Sequence, residues 1–151
     1  MSHPALLPGY RFVTPEVLYG ASGFVTVGDE QIAMLKAIAA GTPRRRARVC
    51  CHPDPSATQQ EMIIVMHGSG YVRPHRHFGK SETLLVLEGA VDAVLFSERG
   101  TVASVVAMAA PGQGSPFFYR MPVERYHGLI YRSEWLGACL RMTFRSFSRW
   151  Y

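Results

Sequence analysis

Short apolar runs separated by turn-forming residues occupy most of the chain after residue 60. Leu84–Leu87, Val91–Phe96 and Val102–Met108 are examples, and glycine or proline interrupts the sequence between many of the runs. Runs of this length suit β-strands better than helices. The intervening Glu88-Gly89-Ala90 predicts a hairpin between the first two runs. The pattern as a whole predicts an all-β sandwich or barrel.

One segment near the N-terminus has a helical pattern instead. Apolar residues recur at positions 32, 35 and 38, three apart. Asp29 is a suitable N-cap, Glu30 favours the first turn, and Gly41 is a stop signal. We therefore expect one helix, with its apolar side packed on the barrel.

A length of 151 residues suits one structural domain with its own core. We expect residues 1–20 to form an irregular arm, because they contain three prolines, and residues 21–27 to form a short strand. The arm and helix, residues 1–42, would pack on a barrel formed by residues 43–151.

Two histidines and a glutamate lie within eight positions in the middle of the chain. His75 and His77 have the same parity, since both residue numbers are odd. Side chains alternate between the two faces of a strand, so on one strand both histidines point to the same face. Residues 78–81 include Gly79 and polar residues, which suit a turn. A bend there would place Glu82 at the start of the next strand, beside the two imidazoles. Two nitrogens and one oxygen then converge as ligands for a divalent metal.

A fourth ligand is available further along the chain. We predict that His127, which precedes the apolar run Gly128–Tyr131, comes from a neighbouring strand and completes a site of three histidines and Glu82. His-x-His by itself is equally well explained as a surface pair. The expected cofactor is one divalent metal ion, and the ligand types do not choose among Zn, Ni, Mn and Fe.

Side-chain parity also suggests residues around the metal. Arg73 shares the parity of the first two histidines, and Tyr119, Arg125 and Tyr131 share the parity of His127. We predict that the two arginines anchor an anionic substrate and that the two tyrosines form hydrogen-bonding walls. The alternatives are an arginine in an outward salt bridge and a tyrosine with its hydroxyl in solvent.

The net charge of +5 has two interpretations. It fits a small anionic or carbohydrate ligand drawn to arginines near the metal, and it also fits a basic surface. Arg44-Arg45-Arg46 is similarly either a solvated edge or an anion contact. The tail, residues 141–151, interleaves arginines with aromatics and predicts a strand with an exposed apolar edge, suited to pairing in a homodimer. A concentrated basic stripe is lacking, which argues against nucleic acid.

The compartment is predicted from what the sequence lacks. No apolar run reaches the ~18 residues that a membrane-spanning helix needs, and the first residues have no signal-peptide pattern. Three cysteines, of which Cys50 and Cys51 are adjacent, do not form a disulfide framework. We therefore expect a cytoplasmic protein that does not associate with membranes.

The histidine segment resembles the first motif of the cupin superfamily. That motif reads His-x-His, four residues, Glu, six residues, Gly, and His75, His77, Glu82 and Gly89 match it. The resemblance implies a jelly-roll barrel of antiparallel strands with a metal site.

The second cupin motif is matched by Pro122 and His127, with two departures. Glu124 stands where glycine is usual, and Tyr131 stands where asparagine is usual. Glu124 has the wrong parity to face the metal unless a turn at Pro122 reorients it, in which case it is a candidate general base.

Several segments further resemble the WbuC-type cupin-fold metalloproteins. They are residues 43–48, 51–53, 60–62 and 71–77. This resemblance implies a role in surface polysaccharide biosynthesis. For a metal-dependent cupin we expect Lewis-acid isomerisation, epimerisation or hydrolysis of a small anionic or sugar-derived substrate. An iron-dependent dioxygenase and a non-catalytic metal- or sugar-binding module are the alternatives, because one fold supports many functions.

Overall fold

The computed structural model describes residues 7–121 and 123–144 of the chain. Strands form most of the regular structure and one helix follows the second strand, so the predicted fold class is confirmed. In chain order the elements are β1 (Tyr10–Thr14), β2 (Val17–Gly20), α1 (Asp29–Ala40), β3 (Arg46–Cys50), β4 (Gln59–His67), β5 (Lys80–Glu88), β6 (Ala90–Phe96), β7 (Val102–Ala109), β8 (Phe118–Met121), β9 (His127–Tyr131) and β10 (Trp135–Phe144).

The strands form two sheets that share a buried core. The larger sheet has the order β1-β2-β3-β4-β10-β5-β8, and the smaller one has the order β7-β6-β9. All pairs are antiparallel except β2 and β3, which are parallel. Within the described residues the two sheets remain separate, as in a jelly-roll sandwich. The core between them is formed by Ile64, Met66, Leu84, Val86, Val91, Ala93, Met108, Ala110, Leu136 and Ala138.

The helix α1 packs on the other face of the larger sheet. Leu35 and Ile38 are buried in a second cluster that includes Ala47 and Val49 of β3. Helix α1 begins after Gly28, whose backbone amide donates to Gln31 Oε1 at 2.8 Å. Among the described helical residues, no segment is long and apolar enough to cross a membrane.

The N-terminal arm is more regular than the sequence predicts. Residues 10–20 form the hairpin β1–β2 at the edge of the larger sheet, because Leu18 and Tyr19 are apolar and become buried there. The strand predicted over residues 21–27 is wrong, since that segment bends and exposes Phe24. The chain folds back on itself after Gly20, where an added Cβ would lie 2.4 Å from Val25 Cγ2.

The hairpin predicted at Glu88-Gly89-Ala90 is also wrong. Strand β5 pairs with β10 and β8 in the larger sheet, whereas β6 pairs with β7 and β9 in the smaller one. Gly89 has a φ of +79°, and an added Cβ would lie 2.1 Å from the carbonyl oxygen of Trp135. The glycine therefore allows the chain to cross from one sheet to the other at a point where another strand passes closely.

Two sequence predictions concern residues that lie outside the described ranges. They are the turn at Pro122 and the last part of the arginine-aromatic tail, residues 145–151.

Candidate metal centre

A backbone bridge and a tight turn position the histidines and the glutamate. His75 and His127 form an antiparallel bridge, in which each amide donates to the other residue's carbonyl at 2.9 Å. Gly79 has a φ of +65°, a conformation that glycine adopts readily, so the chain reverses between His77 and β5. Glu82 consequently lies near the beginning of β5, facing the imidazoles.

The structure brings the four predicted ligand residues together. One ligand atom from each of His75, His77, Glu82 and His127 lies within 4.8 Å of the others, so the cluster could hold a metal ion. His77 Nε2 lies 2.9 Å from Glu82 Oε2, and His127 Nε2 lies 3.4 Å from Glu82 Oε1. Glu82 and His127 are 4% and 3% exposed, which makes the carboxylate a buried charge.

Backbone carbonyls orient two of the imidazole rings. His75 Nδ1 lies 2.9 Å from the carbonyl oxygen of Arg73, and His127 Nδ1 lies 2.9 Å from that of Arg125. A carbonyl oxygen can only accept, so each Nδ1 must be the donor. In the neutral ring the lone pair is then on Nε2, the atom available as a metal ligand.

The buried nitrogen of His127 provides a test of whether the residues fit a metal. Among the described residues, His127 Nε2 is buried and has no hydrogen-bond partner. Its 3.4 Å separation from Glu82 Oε1 exceeds the ~2.7–2.9 Å of a charge-assisted hydrogen bond. An unpaired buried polar group costs about 1–3 kcal/mol. A cation held by three imidazoles and one carboxylate would satisfy this atom, so the residues fit a divalent metal.

The local electrostatics keep the carboxyl group ionised. Burial raises the pKa of Glu82, but the imidazoles of His127 and His77 and the hydroxyl of Tyr119 outweigh burial and hold the pKa well below its usual value. Burial lowers the pKa of His75, and the nearby His127 and His77 lower it further. Metal binding requires an ionised carboxylate and neutral imidazoles. Burial lowers the pKa of His127, but Glu82 outweighs burial and raises it, so His127 would release its proton on binding the ion.

Tyr119 contacts the carboxylate directly. Its hydroxyl donates to Glu82 Oε1 at 2.5 Å. Burial and the charge of Glu82 raise the pKa of Tyr119 well above its ordinary value, so the hydroxyl keeps its proton. Tyr119 therefore orients a candidate metal ligand, whereas the sequence predicted it as a wall of the substrate site.

The other predicted substrate residues do not line the cavity beside the cluster. The side chains of Arg73 and Arg125 are exposed, and only their backbone carbonyls contact the histidines. The hydroxyl of Tyr131 donates to Met66 Sδ at 3.1 Å, and burial raises the pKa of Tyr131 to about 12. Glu124 is exposed, has a φ of +65°, and reaches this region only through its amide.

A cavity of about 130 Å³ lies beside the cluster. Arg46 and Arg48 of β3 line it together with the four candidate ligands. Arg48 was not predicted from the sequence, although the alternation of Arg46-Ala47-Arg48-Val49 indicates a strand with one cationic and one apolar face. The remaining wall is apolar and consists of Met62, Ile64, Met66, Val72, Leu129, Leu140 and Met142.

The fold and the cluster together define a cupin-fold protein with a candidate metal site. The cupin domain of Schizosaccharomyces pombe Cnp3 is similar in structure, with a TM-score of 0.54 and 8% identity, over 67% of this chain and 66% of that one. A Cupin 2 conserved barrel domain protein from Salinispora arenicola CNS-205 has a TM-score of 0.51 and 13% identity, over 66% and 76%. Oxalate oxidase in complex with the substrate analogue glycolate has a TM-score of 0.55 and 13% identity, over 70% and 54%. The chain thus spans about two thirds of the Cnp3 domain and about half of oxalate oxidase.

The sequence also matches the model of one protein family, which is a narrower group than the proteins that share the cupin fold. Residues 27–108 match the model of the family described as a domain of unknown function, DUF6016, and the chain belongs to this family. No curated protein matches the sequence significantly. The resemblance to WbuC-type proteins stays a prediction.

Proposed function

We propose that this protein is a metal-dependent cupin in which His75, His77, Glu82 and His127 bind one divalent cation beside the site of a small anionic substrate. The observation that carries the proposal is the buried Nε2 of His127, which has no hydrogen-bond partner among the described residues and lies 3.4 Å from Glu82 Oε1. A bound cation supplies Lewis-acid polarisation of a substrate carbonyl or hydroxyl oxygen.

The residues of the cavity limit the chemistry. Apart from the four candidate ligands, the ionisable residues among those described in the lining are Arg46 and Arg48, and both are cations. They suit an anionic substrate group, but neither is suited to act as a general base. Isomerisation, epimerisation or hydrolysis of a small anionic substrate is the reaction we propose, and only the WbuC-type resemblance supports a place in polysaccharide biosynthesis.

The same proposal includes a homodimer in the cytoplasm. Val102 and Val105 of the edge strand β7 are 59% and 52% exposed, which leaves an apolar strand available to a second subunit. Cys50, Cys51 and Cys139 are free thiols, as expected in a reducing compartment. A monomeric mass in sedimentation equilibrium at micromolar concentration would contradict the dimer.

Elemental analysis of protein produced without added metal tests the metal site. We expect about one divalent ion per chain. Glu82→Gln keeps the shape of the side chain but removes its charge, so metal affinity should fall at least about a hundredfold, since even changes to residues behind the ligands cost 10- to 100-fold. Glu124→Gln is the matched control, because this exposed carboxylate lies near the cluster without joining it.

The identity of the metal separates the three functional classes. Zinc, nickel or manganese with turnover of a panel of small anionic and sugar-derived substrates would support the isomerase, epimerase or hydrolase. Iron together with oxygen uptake would contradict that function and support a dioxygenase. Bound metal without turnover of any substrate would support a non-catalytic binding module. Folded wild-type protein that takes up no divalent metal would overturn the proposal.

A further inference from the structure

Two arginines of one strand point into the same cavity as the candidate metal ligands. Arg46 and Arg48 occupy alternate positions of β3 and line the cavity. Ala47 and Val49 between them point the other way and pack in the cluster under α1. The strand therefore presents both arginine side chains to the cavity.

The charge of Arg48 is not matched by a carboxylate of the described chain. Within residues 7–121 and 123–144, Arg48 forms no ion pair, and its Nε is buried without a hydrogen-bond partner. Burying a guanidinium nitrogen in this way is costly unless a ligand completes its hydrogen bonds. Arg48 hydrogen-bonds to the Cys50 thiol, but this neutral partner leaves the charge of Arg48 available to an anion that enters the cavity.

The charge of Arg46 is only partly matched. Arg46 Nε lies 3.7 Å from Glu16 Oε2, but the same oxygen lies 2.7 Å from Arg44 Nη2. Burial and the charges of Arg44 and Arg48 lower the pKa of Arg46, and Glu16 offsets part of this effect. One carboxylate therefore serves two arginines, and the cavity keeps an excess of positive charge.

The other side chains of the cavity select against a sugar. Seven apolar side chains line it, including Met62, Met66 and Met142. Sugar hydroxyls would lose their hydrogen bonds to water against such a wall. A volume of about 130 Å³ also limits the ligand to a few heavy atoms beyond its charged group. An apolar body with one anionic end fits both the wall and the arginines.

We propose that Arg48, assisted by Arg46, binds the carboxylate of a small organic acid whose short aliphatic chain lies against the methionines. The planar guanidinium fork suits a carboxylate, with which it forms two parallel hydrogen bonds. This inference rests on the proposed function, because it names the substrate class of the same site. It narrows the anionic or sugar-derived substrate to an aliphatic carboxylic acid.

Calorimetric titration of the full chain with acetate, butyrate, 1-butanol and inorganic phosphate tests the inference. We expect butyrate to bind more tightly than acetate or phosphate, and 1-butanol not to bind. Arg48→Met should weaken butyrate at least about tenfold, which is about 1.4 kcal/mol. Arg99→Met is the matched control, because it removes an exposed arginine outside the cavity and should leave the affinity unchanged.

Two further measurements test whether the effect of Arg48→Met on butyrate affinity is independent of the metal. The titrations are repeated on metal-free protein, where the loss caused by Arg48→Met should persist, and the metal content of Arg48→Met should equal that of the wild type. If Arg48→Met does not fold, as judged by circular dichroism, Arg48→Gln replaces it under the same criterion. Gln retains hydrogen-bond donors but lacks the charge and the fork.

The outcomes separate this inference from the proposed function. Butyrate affinity that is unchanged by loss of Arg48, or reduced equally by Arg99→Met, overturns the inference even when the protein binds metal. Phosphate binding more tightly than butyrate also overturns it. Arg48-dependent butyrate binding in a wild-type protein that takes up no metal would support the inference and overturn the proposed metal-dependent function.

Discussion

The hydroxyl of Tyr119 fixes the orientation of Glu82 through a hydrogen bond of 2.5 Å. Tyr119→Phe removes that bond while keeping the aromatic ring. Because the carboxylate then loses its orienting partner, we expect metal affinity to fall about 10- to 100-fold. A competition titration against a chromophoric chelator measures the change.

Tyr131→Phe is the matched control for that experiment. Its hydroxyl is also partly buried, but it contacts Met66 Sδ at 3.1 Å instead of the carboxylate. We expect its metal affinity to stay within about twofold of the wild type, since it does not orient a ligand. Equal losses in both variants would show that the effect comes from general packing and would remove Tyr119 from its positioning role.

At the residue scale, the sequence predicts the ligand cluster but not what surrounds it. The cluster can be predicted because His75, His77 and Glu82 are close in the sequence and a single turn brings them together. The contact of Tyr119 with Glu82 depends on the register of β5 against β8, in which Leu84 opposes Tyr119. That register is set by tertiary packing, so Tyr119 could be predicted near the site but not on the carboxylate.

The rule that side chains alternate along a strand does not correctly locate the predicted anion anchors, Arg73 and Arg125. Residues 71–74 and 123–126 lie outside strands, so the alternation of side chains that the rule assumes does not hold for Arg73 or Arg125. Arg48 lies within β3, where the same rule does hold. Applied there, it would have placed Arg48 on the face of β3 that carries Arg46.

At the element scale, Gly89 determines how the chain crosses between the sheets. Its φ of +79° and that of Gly100, +78°, are nearly equal. An added Cβ at Gly100 meets nothing within 4 Å, but at Gly89 it meets the Trp135 carbonyl oxygen at 2.1 Å and Ser133 Oγ at 2.4 Å. The two positions thus share the same backbone strain and differ in steric room.

Substitution by alanine at each glycine separates strain from steric conflict. Gly100→Ala should cost about 1–2 kcal/mol of unfolding free energy, the cost of placing an L-residue in the left-handed region. Gly89→Ala should cost at least about 2 kcal/mol more, because overpacking against the backbone adds about 1–3 kcal/mol or more. Urea denaturation measures both. Equal losses of unfolding free energy in the two variants would mean that β10 can move away from Gly89 to make room for the added Cβ.

The existence of most elements follows from local pattern, whereas their pairing does not. The helix over residues 29–40 and the strands near residues 102–108 and 127–131 match the prediction within a few residues. A glycine between two apolar runs predicts that the chain changes direction. The same sequence pattern occurs at a hairpin and at a crossing between two sheets, so it does not distinguish them. Only the packing of β10 beside Gly89 distinguishes the two.

At the scale of the whole molecule, the candidate ligands join the two sheets. Glu82 belongs to the larger sheet through β5, and His127 belongs to the smaller sheet through β9. His75 connects to the smaller sheet by its bridge with His127. A cation held by these residues would link both layers of the sandwich. Its binding would therefore stabilise the folded state, because the unfolded chain does not assemble the site.

Removal of the metal should therefore lower the thermal stability of the entire domain. With free metal at 100 times its dissociation constant, binding contributes about 2.7 kcal/mol. For a chain of this length, 1 kcal/mol corresponds to about 2–4 °C in Tm, so chelation should lower Tm by about 5–10 °C. Differential scanning calorimetry with and without chelator measures the shift, and Glu82→Gln should show almost none. A Tm that chelation leaves unchanged in metal-loaded wild-type protein would mean that the ion binds outside the cluster that joins the two sheets.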